Sequence, residues 1–241
     1  MKMETETSLE QRTVEPIVLG NLALDGEAVR GEDGKYLLKT QQEWMSYLAY
    51  LGKRLPTLPE YFVFIHHLQK ENHHASKGLL QDLLESWLYT GTIFGYQSNN
   101  TITHLGDETR VIPCAIPEGE GYLDILVKDD DWQKVVQTAF EHPDVDEVVE
   151  VLQKFSGKRP YIWTPTASSR KATPKRAAWF GCSSYSLDLN GYSNLYYYGA
   201  ARGVRKKSSN DLISAQEAPA GRGAKNQEAC QERHATLTKK Y

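Results

Sequence analysis

Cysteine is scarce in this chain: three residues in 241, at Cys114, Cys182 and Cys230. They lie far apart, show no C-x-x-C spacing, and leave at least one thiol unpaired. That argues against a disulfide framework and for a reducing compartment or no redox role. Long apolar runs are missing too. No stretch approaches the roughly 18 consecutive apolar residues of a spanning helix, so no membrane span is expected. The opening MKMETETSLE is acidic and polar without an apolar h-region. A secretory signal is therefore not expected, which leaves a cytoplasmic or virion-associated location. Neither sign of charge dominates: 28 Lys and Arg face 31 Asp and Glu, a net charge of -3. Such a balance gives no global pull toward nucleic acid or an anionic membrane. No internal repeat is visible.

What is present reads as one domain. After a polar leader (residues 1–12), Thr13 to Leu24 is apolar enough for a first strand, with Pro16 arguing for an edge position. Thr40-Gln41-Gln42-Glu43 is a capping box that opens a helix carrying Trp44, Tyr47, Leu48 and Leu51 on one face, stopped at Gly52. Thr57, Pro59 and Glu60 give a second helix the same start, with Tyr61, Phe62, Phe64, Ile65 and Leu68 as its buried stripe. A third is expected from Lys77 to Leu88. The period then shortens to candidate strands at 92–94, 110–113 and 122–127. Two amphipathic helices with acidic first turns follow, a helical insertion over about 129–157. The last strands are expected at 161–166, 177–182, 186–190 and 196–204. Beyond Arg205 large apolar residues thin out, and residues 206–241 read as a flexible polar tail. The fold class expected is α+β over residues 13–205, helices of the first half packed on a twisted antiparallel sheet.

The most unusual composition lies between Trp163 and Arg205. Of the 19 residues 181–199, 12 are Ser, Tyr, Asn or Asp: Ser183, Ser184, Tyr185, Ser186, Asp188, Asn190, Tyr192, Ser193, Asn194, Tyr196, Tyr197 and Tyr198. Leu187, Leu189 and Leu195 punctuate them like scaffold positions. Tyr supplies large, stiff, amphipathic contact area, and Ser and Asn supply adaptable hydrogen bonds. That is the chemistry of a recognition surface. The plainer reading is an exposed hairpin rich in turn formers. No acid, base, nucleophile or metal cluster stands out in the run.

Two separated groups of motifs add a resemblance. Trp44, then Gly52-Lys53-Arg54-Leu55-Pro56-Thr57 with Glu60, is similar to a "W…G-x-R-L-P-T-x-x-E" signature. Trp163-Thr164-Pro165-Thr166, Ala177-Ala178-Trp179-Phe180 and Ala201-Arg202-Gly203-Val204-Arg205 are similar to its later partners. Together they resemble the C-type-lectin-fold superfamily of formylglycine-generating-enzyme-like domains. The nearest branch is the variable proteins of diversity-generating retroelements, phage- or virus-associated among others. There adenine-directed mutagenesis fills varied positions with Asn, Tyr, Ser and Asp. The resemblance covers roughly residues 17–205. It implies a C-type lectin-like fold and a non-enzymatic protein whose region 177–205 displays those 12 side chains to a protein or surface-receptor ligand, with no cofactor and no metal. The family's variable segment usually closes the chain, whereas 36 residues follow Arg205 here.

The alternative implied by the same superfamily is a formylglycine-generating-type copper oxidase or another sulfatase-modifying-factor-like enzyme. Copper(I) favours paired thiolates, and Cys182 has a companion only if folding brings Cys114 to it. Ca²⁺-dependent sugar binding lacks a Glu-Pro-Asn or Trp-Asn-Asp triplet. His66, His67, His73 and His74 surround a helix end, where zinc would want a further acid or thiol; a solvated helix end is the simpler reading. Arg170, Lys171, Lys175 and Arg176 form a basic loop that could meet phosphate but reads more simply as wet surface. Trp44, Trp87 and Trp163 are expected as core anchors. Arg202 and Arg205 are candidates to pair with a core carboxylate such as Glu60.

Overall fold

A computed structural model describes residues 14–71, 73–96, 100–104, 110–111, 121–124, 130–164, 166–191 and 198–207. The leader 1–12 and all but the first two residues of the 206–241 tail lie outside them. The protein is mixed α/β. Among the described residues, six helices and ten strands follow one another. Ile17–Leu19 (β1) and Leu22–Leu24 (β2) come first, then the helices Gln41–Tyr50 (α1), Leu58–Glu71 (α2) and His73–Glu85 (α3). Next are Leu88–Tyr96 (β3), Asn100–His104 (β4), Arg110–Val111 (β5) and Gly121–Asp124 (β6). Asp130–Phe140 (α4), Val145–Ser156 (α5), Arg159–Thr164 (β7), Ala167–Ala172 (α6), Lys175–Cys182 (β8), Ser186–Asn190 (β9) and Val204–Lys206 (β10) complete the order.

Local sequence chemistry accounts for the boundaries. The expected strand at 13–24 is a hairpin, because Gly20 takes a left-handed turn (φ +55°) and folds β2 back on β1. Thr40 caps α1, its hydroxyl accepting the Glu43 amide while the Glu43 carboxylate accepts the Thr40 amide. At α2 the Glu60 carboxylate accepts the Thr57 amide (2.9 Å) and both ends of the Arg54 guanidinium (2.5 and 2.7 Å). Burial pushes that carboxyl up, but Arg54 and Thr57 outweigh it and hold it below the usual carboxylate range. The helical insertion appears as α4 and α5. Asp144 caps α5, and Gly157 in the left-handed region (φ +67°) ends it. The third helix starts four residues earlier than its apolar stripe suggests. It stops at Glu85, because Leu88 opens β3. The short strand β4 and helix α6 were not expected from the sequence. Thr166 caps α6 by accepting the Ser169 amide.

Seven strands form one sheet in the order β5-β4-β3-β8-β9-β7-β6, with β7 and β9 parallel and the other neighbours antiparallel. The period-two alternation of β8 divides its side chains between two cores. Ala178, Phe180 and Cys182 join the larger one with Ile162, Leu187 and Leu189 and with the apolar stripes of α2, α3, α4 and α5. Ala177 and Trp179 face the other way and pack with Trp44 and Leu48 of α1, Leu55, Tyr89 and Ala201. A second sheet, β1-β2-β10, joins the first described strands to the last.

The late segment locks the early one. Trp44 Nε1–H donates to the Gly199 carbonyl (2.6 Å). Arg54 and Val204 exchange both backbone hydrogen bonds. Arg202 is fully buried, with Nε and Nη2 2.8 and 2.6 Å from Asp82 Oδ2. The core carboxylate facing Arg202 is therefore Asp82 on α3. Glu60 belongs to Arg54, within its own motif.

Candidate functional site

The β8–β9 hairpin and its parallel neighbour β7 build the site. Register places Tyr161, Asp188 and Gly181 side by side across β7, β9 and β8, and Trp163, Asn190 and Trp179 in the next row. Tyr89 of β3 extends the second row beyond Trp179. All of them lie opposite Ile162, Leu187 and Leu189, which point into the larger core. The Trp87 ring lies over Gly181, where a Cβ would come within 2.7 Å of its Cδ2 and Cζ3. Trp87 and Tyr89 both contact the Trp179 ring, at centroid distances of 6.2 and 4.5 Å. The result is a sheet face lined with indoles and phenols, holding one carboxylate and one carboxamide.

The expected display residues do not share one environment. Ser184 and Tyr185 at the hairpin tip are exposed, Tyr185 at 86%, and Tyr198 is 65% exposed. Ser183 and Asn190 are half-buried. Ser186 and Asp188 are buried, Asp188 at 1% exposure. For these two the expectation of an exposed side chain does not hold, because both neighbouring strands of β9 are in place and flank it. Tyr192, Ser193, Asn194, Tyr196 and Tyr197 lie outside the described residues. The scaffold positions Leu187, Leu189 and Trp179 are buried. Trp163, expected as a core anchor, is half-buried on the site face, and Trp87 is likewise half-buried.

Three of the display residues meet in a polar chain. The Ser183 and Ser186 hydroxyls are 2.8 Å apart, and Ser183 Oγ accepts the Tyr185 and Ser186 amides, tightening the turn. The Ser186 hydroxyl in turn bonds the Asp188 carboxylate. Asp188 Oδ1 is buried and has no hydrogen-bond partner. Burial pushes the Asp188 carboxyl up, with Ser186 and the nearby Lys158 ammonium pulling the other way. Lys158, just before β7, donates to the Ser183 carbonyl and also stands beside the Cys182 thiol. Burial raises that thiol above its ordinary range despite the lysine, which disfavours the thiolate form. Lys158 was missed from sequence. Its only signal there is its place between a helix-ending glycine and a strand.

The remaining candidates resolve differently. The basic loop is α6 and the start of β8. Arg170 is buried over the Tyr96 ring (4.9 Å), and Arg176 is buried with its guanidinium on the Thr173 and Ser169 carbonyls. These two cations are structural, a correction to the wet-surface reading; Lys171 and Lys175 alone are exposed. His66 faces Glu147 of α5 at 4.0 Å, and His142 faces the same carboxylate at 3.5 Å. Among the described residues no group of three His, Cys, Asp or Glu side chains is placed to hold a metal ion. Cys114 and Cys230 lie outside them. No described helix is long and apolar enough to cross a membrane. No protein-family model, curated protein or solved structure matches the chain.

Proposed function

We propose that the protein is a non-enzymatic recognition module of C-type lectin-like type, similar to retroelement variable proteins. Its partner, a protein or surface receptor, meets the side of the molecule that carries the β8–β9 tip and Tyr198. The observation that carries this reading is the contrast within one short stretch. Tyr185 and Tyr198 project into solvent at 86% and 65% exposure, while Leu187 and Leu189 between them are almost fully buried. Large exposed phenols on a rigid frame are favourable contact surface, because little freedom is lost when they bind. The sequence of residues 192–197 holds three more tyrosines with Ser193 and Asn194. The resemblance is supported by the way its separated motifs converge. Trp44 meets Gly199, Arg54 meets both Glu60 and Val204, and Arg202 reaches across to the first half.

A display surface tolerates change, and that is the test. Replacing Tyr185 and Tyr198 together with Ser should move the melting temperature by no more than about 4 °C. Exposed changes stay within about 0.5 kcal/mol, and each kcal/mol is worth about 2–4 °C at this size. A phage-displayed library randomised at 184, 185, 192–194 and 196–198, panned against an unrelated protein such as hen lysozyme, should yield folded binders. Beside the gene, a reverse transcriptase and a near-copy of codons 177–205 differing at adenines should lie. A library that mostly unfolds would show these side chains to be structural, and the recognition reading would go with it.

A further inference from the structure

We infer that Asp188 anchors a primary ammonium group carried by the partner, such as a lysine side chain. The inference rests on the recognition reading and adds the chemical class of what is recognised. Asp188 is 1% exposed, and its Oδ1 is buried without a hydrogen-bond partner. An unsatisfied buried carboxylate oxygen costs free energy that a donor would recover, and native structures leave few such atoms. The Ser186 hydroxyl bonds the same carboxylate, and Oδ1 is the oxygen left without a partner. One acceptor atom therefore remains. That geometry suits a compact ammonium better than the fork of a guanidinium, which gains its advantage from two carboxylate oxygens at once.

The surroundings fit a cation on a slender stem. Across the strands Asp188 is flanked by Tyr161 and by Gly181, over which the Trp87 ring lies. Trp163 and Trp179 stand in the next row with Asn190 between them. Indole and phenol faces attract ammonium groups, most strongly where water is excluded. Tyr161, Trp163, Asn190 and Trp87 are only half-buried. The carboxylate thus lies one side chain beneath the surface, within reach of a four-carbon stem that parts them. Lys158 stands near the carboxylate and donates to the Ser183 carbonyl, yet Asp188 Oδ1 still has no hydrogen-bond partner.

The test titrates the full chain with n-butylammonium chloride, n-butylguanidinium chloride and n-butanol at matched ionic strength. Binding is followed by tryptophan fluorescence and by amide shifts in NMR spectra. The expected result is saturable binding of n-butylammonium, weaker binding of the guanidinium, and no saturable binding of the alcohol. Asp188→Asn should lose the ammonium response at least tenfold while melting no lower than the parent, since it removes a buried charge one of whose oxygens has no hydrogen-bond partner. Equal binding of the alcohol, an unchanged response in Asp188→Asn, or no saturable binding at all would overturn the inference. Should Asp188→Asn melt well below the parent, Asp188→Ser provides the same reading with a smaller neutral group. The recognition reading stands or falls separately, on the library randomised at positions that exclude Asp188.

Discussion

Asp82→Ala is expected to destabilise the protein by about 3–5 kcal/mol, the cost of stripping one partner from a buried ion pair. Asp82 accepts from Arg202 Nε, the Ala28 amide and the Tyr36 hydroxyl, all at 2.8 Å, and Arg202 has no solvent to turn to. Removing the carboxylate leaves a full positive charge and an amide donor buried together. Against a typical total of about 5–15 kcal/mol, this is a large share. Urea denaturation followed by circular dichroism should show a much lower midpoint with the slope unchanged. The double variant Asp82→Leu with Arg202→Met should recover much of the loss, because it removes both charges and refills the volume. A wild-type midpoint in Asp82→Ala would mean that the pair does not hold the ends of the fold together.

Trp44→Ala should come close in size. The side chain is fully buried, stacks edge-on against Tyr47 at 5.7 Å and fills the smaller core between α1 and the sheet. Emptying such a site costs about 3–5 kcal/mol. The lost hydrogen bond adds little, since the Gly199 carbonyl keeps the Lys39 amide as a donor. A melting temperature lower by about 6–20 °C is the expected readout. By contrast Trp163→Ala, at a half-buried position, should cost clearly less. If both substitutions have the same effect, Trp163 belongs to the core as Trp44 does.

Helices α1, α2, α4 and α5 were legible because their signals are local. Thr40 with Glu43 and Thr57 with Glu60 are capping pairs three residues apart, and the stripes of α4 and α5 repeat within one turn. β9 was legible at its limits, Ser186 and Asn190, because Leu187 and Leu189 alternate with polar residues. What the sequence could not disclose is partnership across distance. Arg202 chooses Asp82, 120 positions away, through packing that no spacing rule encodes. Asp188 and Ser186 look like exposed polar residues until two strands flank β9. Arg170 and Arg176 look like a solvated cluster until Tyr96 and the α6 carbonyls come to meet them. β4 was missed because Asn100, Thr101 and Thr103 dilute its apolar pattern around Ile102.

The β1-β2-β10 sheet also sets an order of events during synthesis. Ala23 and Leu24 wait for Val204 and Arg205, and the Asp25 amide waits for the Gly203 carbonyl. Until residues 202–205 have emerged from the ribosome, β2 has an open edge and α3 carries Asp82 without its arginine. Contacts of such long range slow folding, because the loop must close before they can form. The nascent chain therefore carries an unpaired strand edge from the emergence of Leu24 to that of Arg205, an interval in which a chaperone can act.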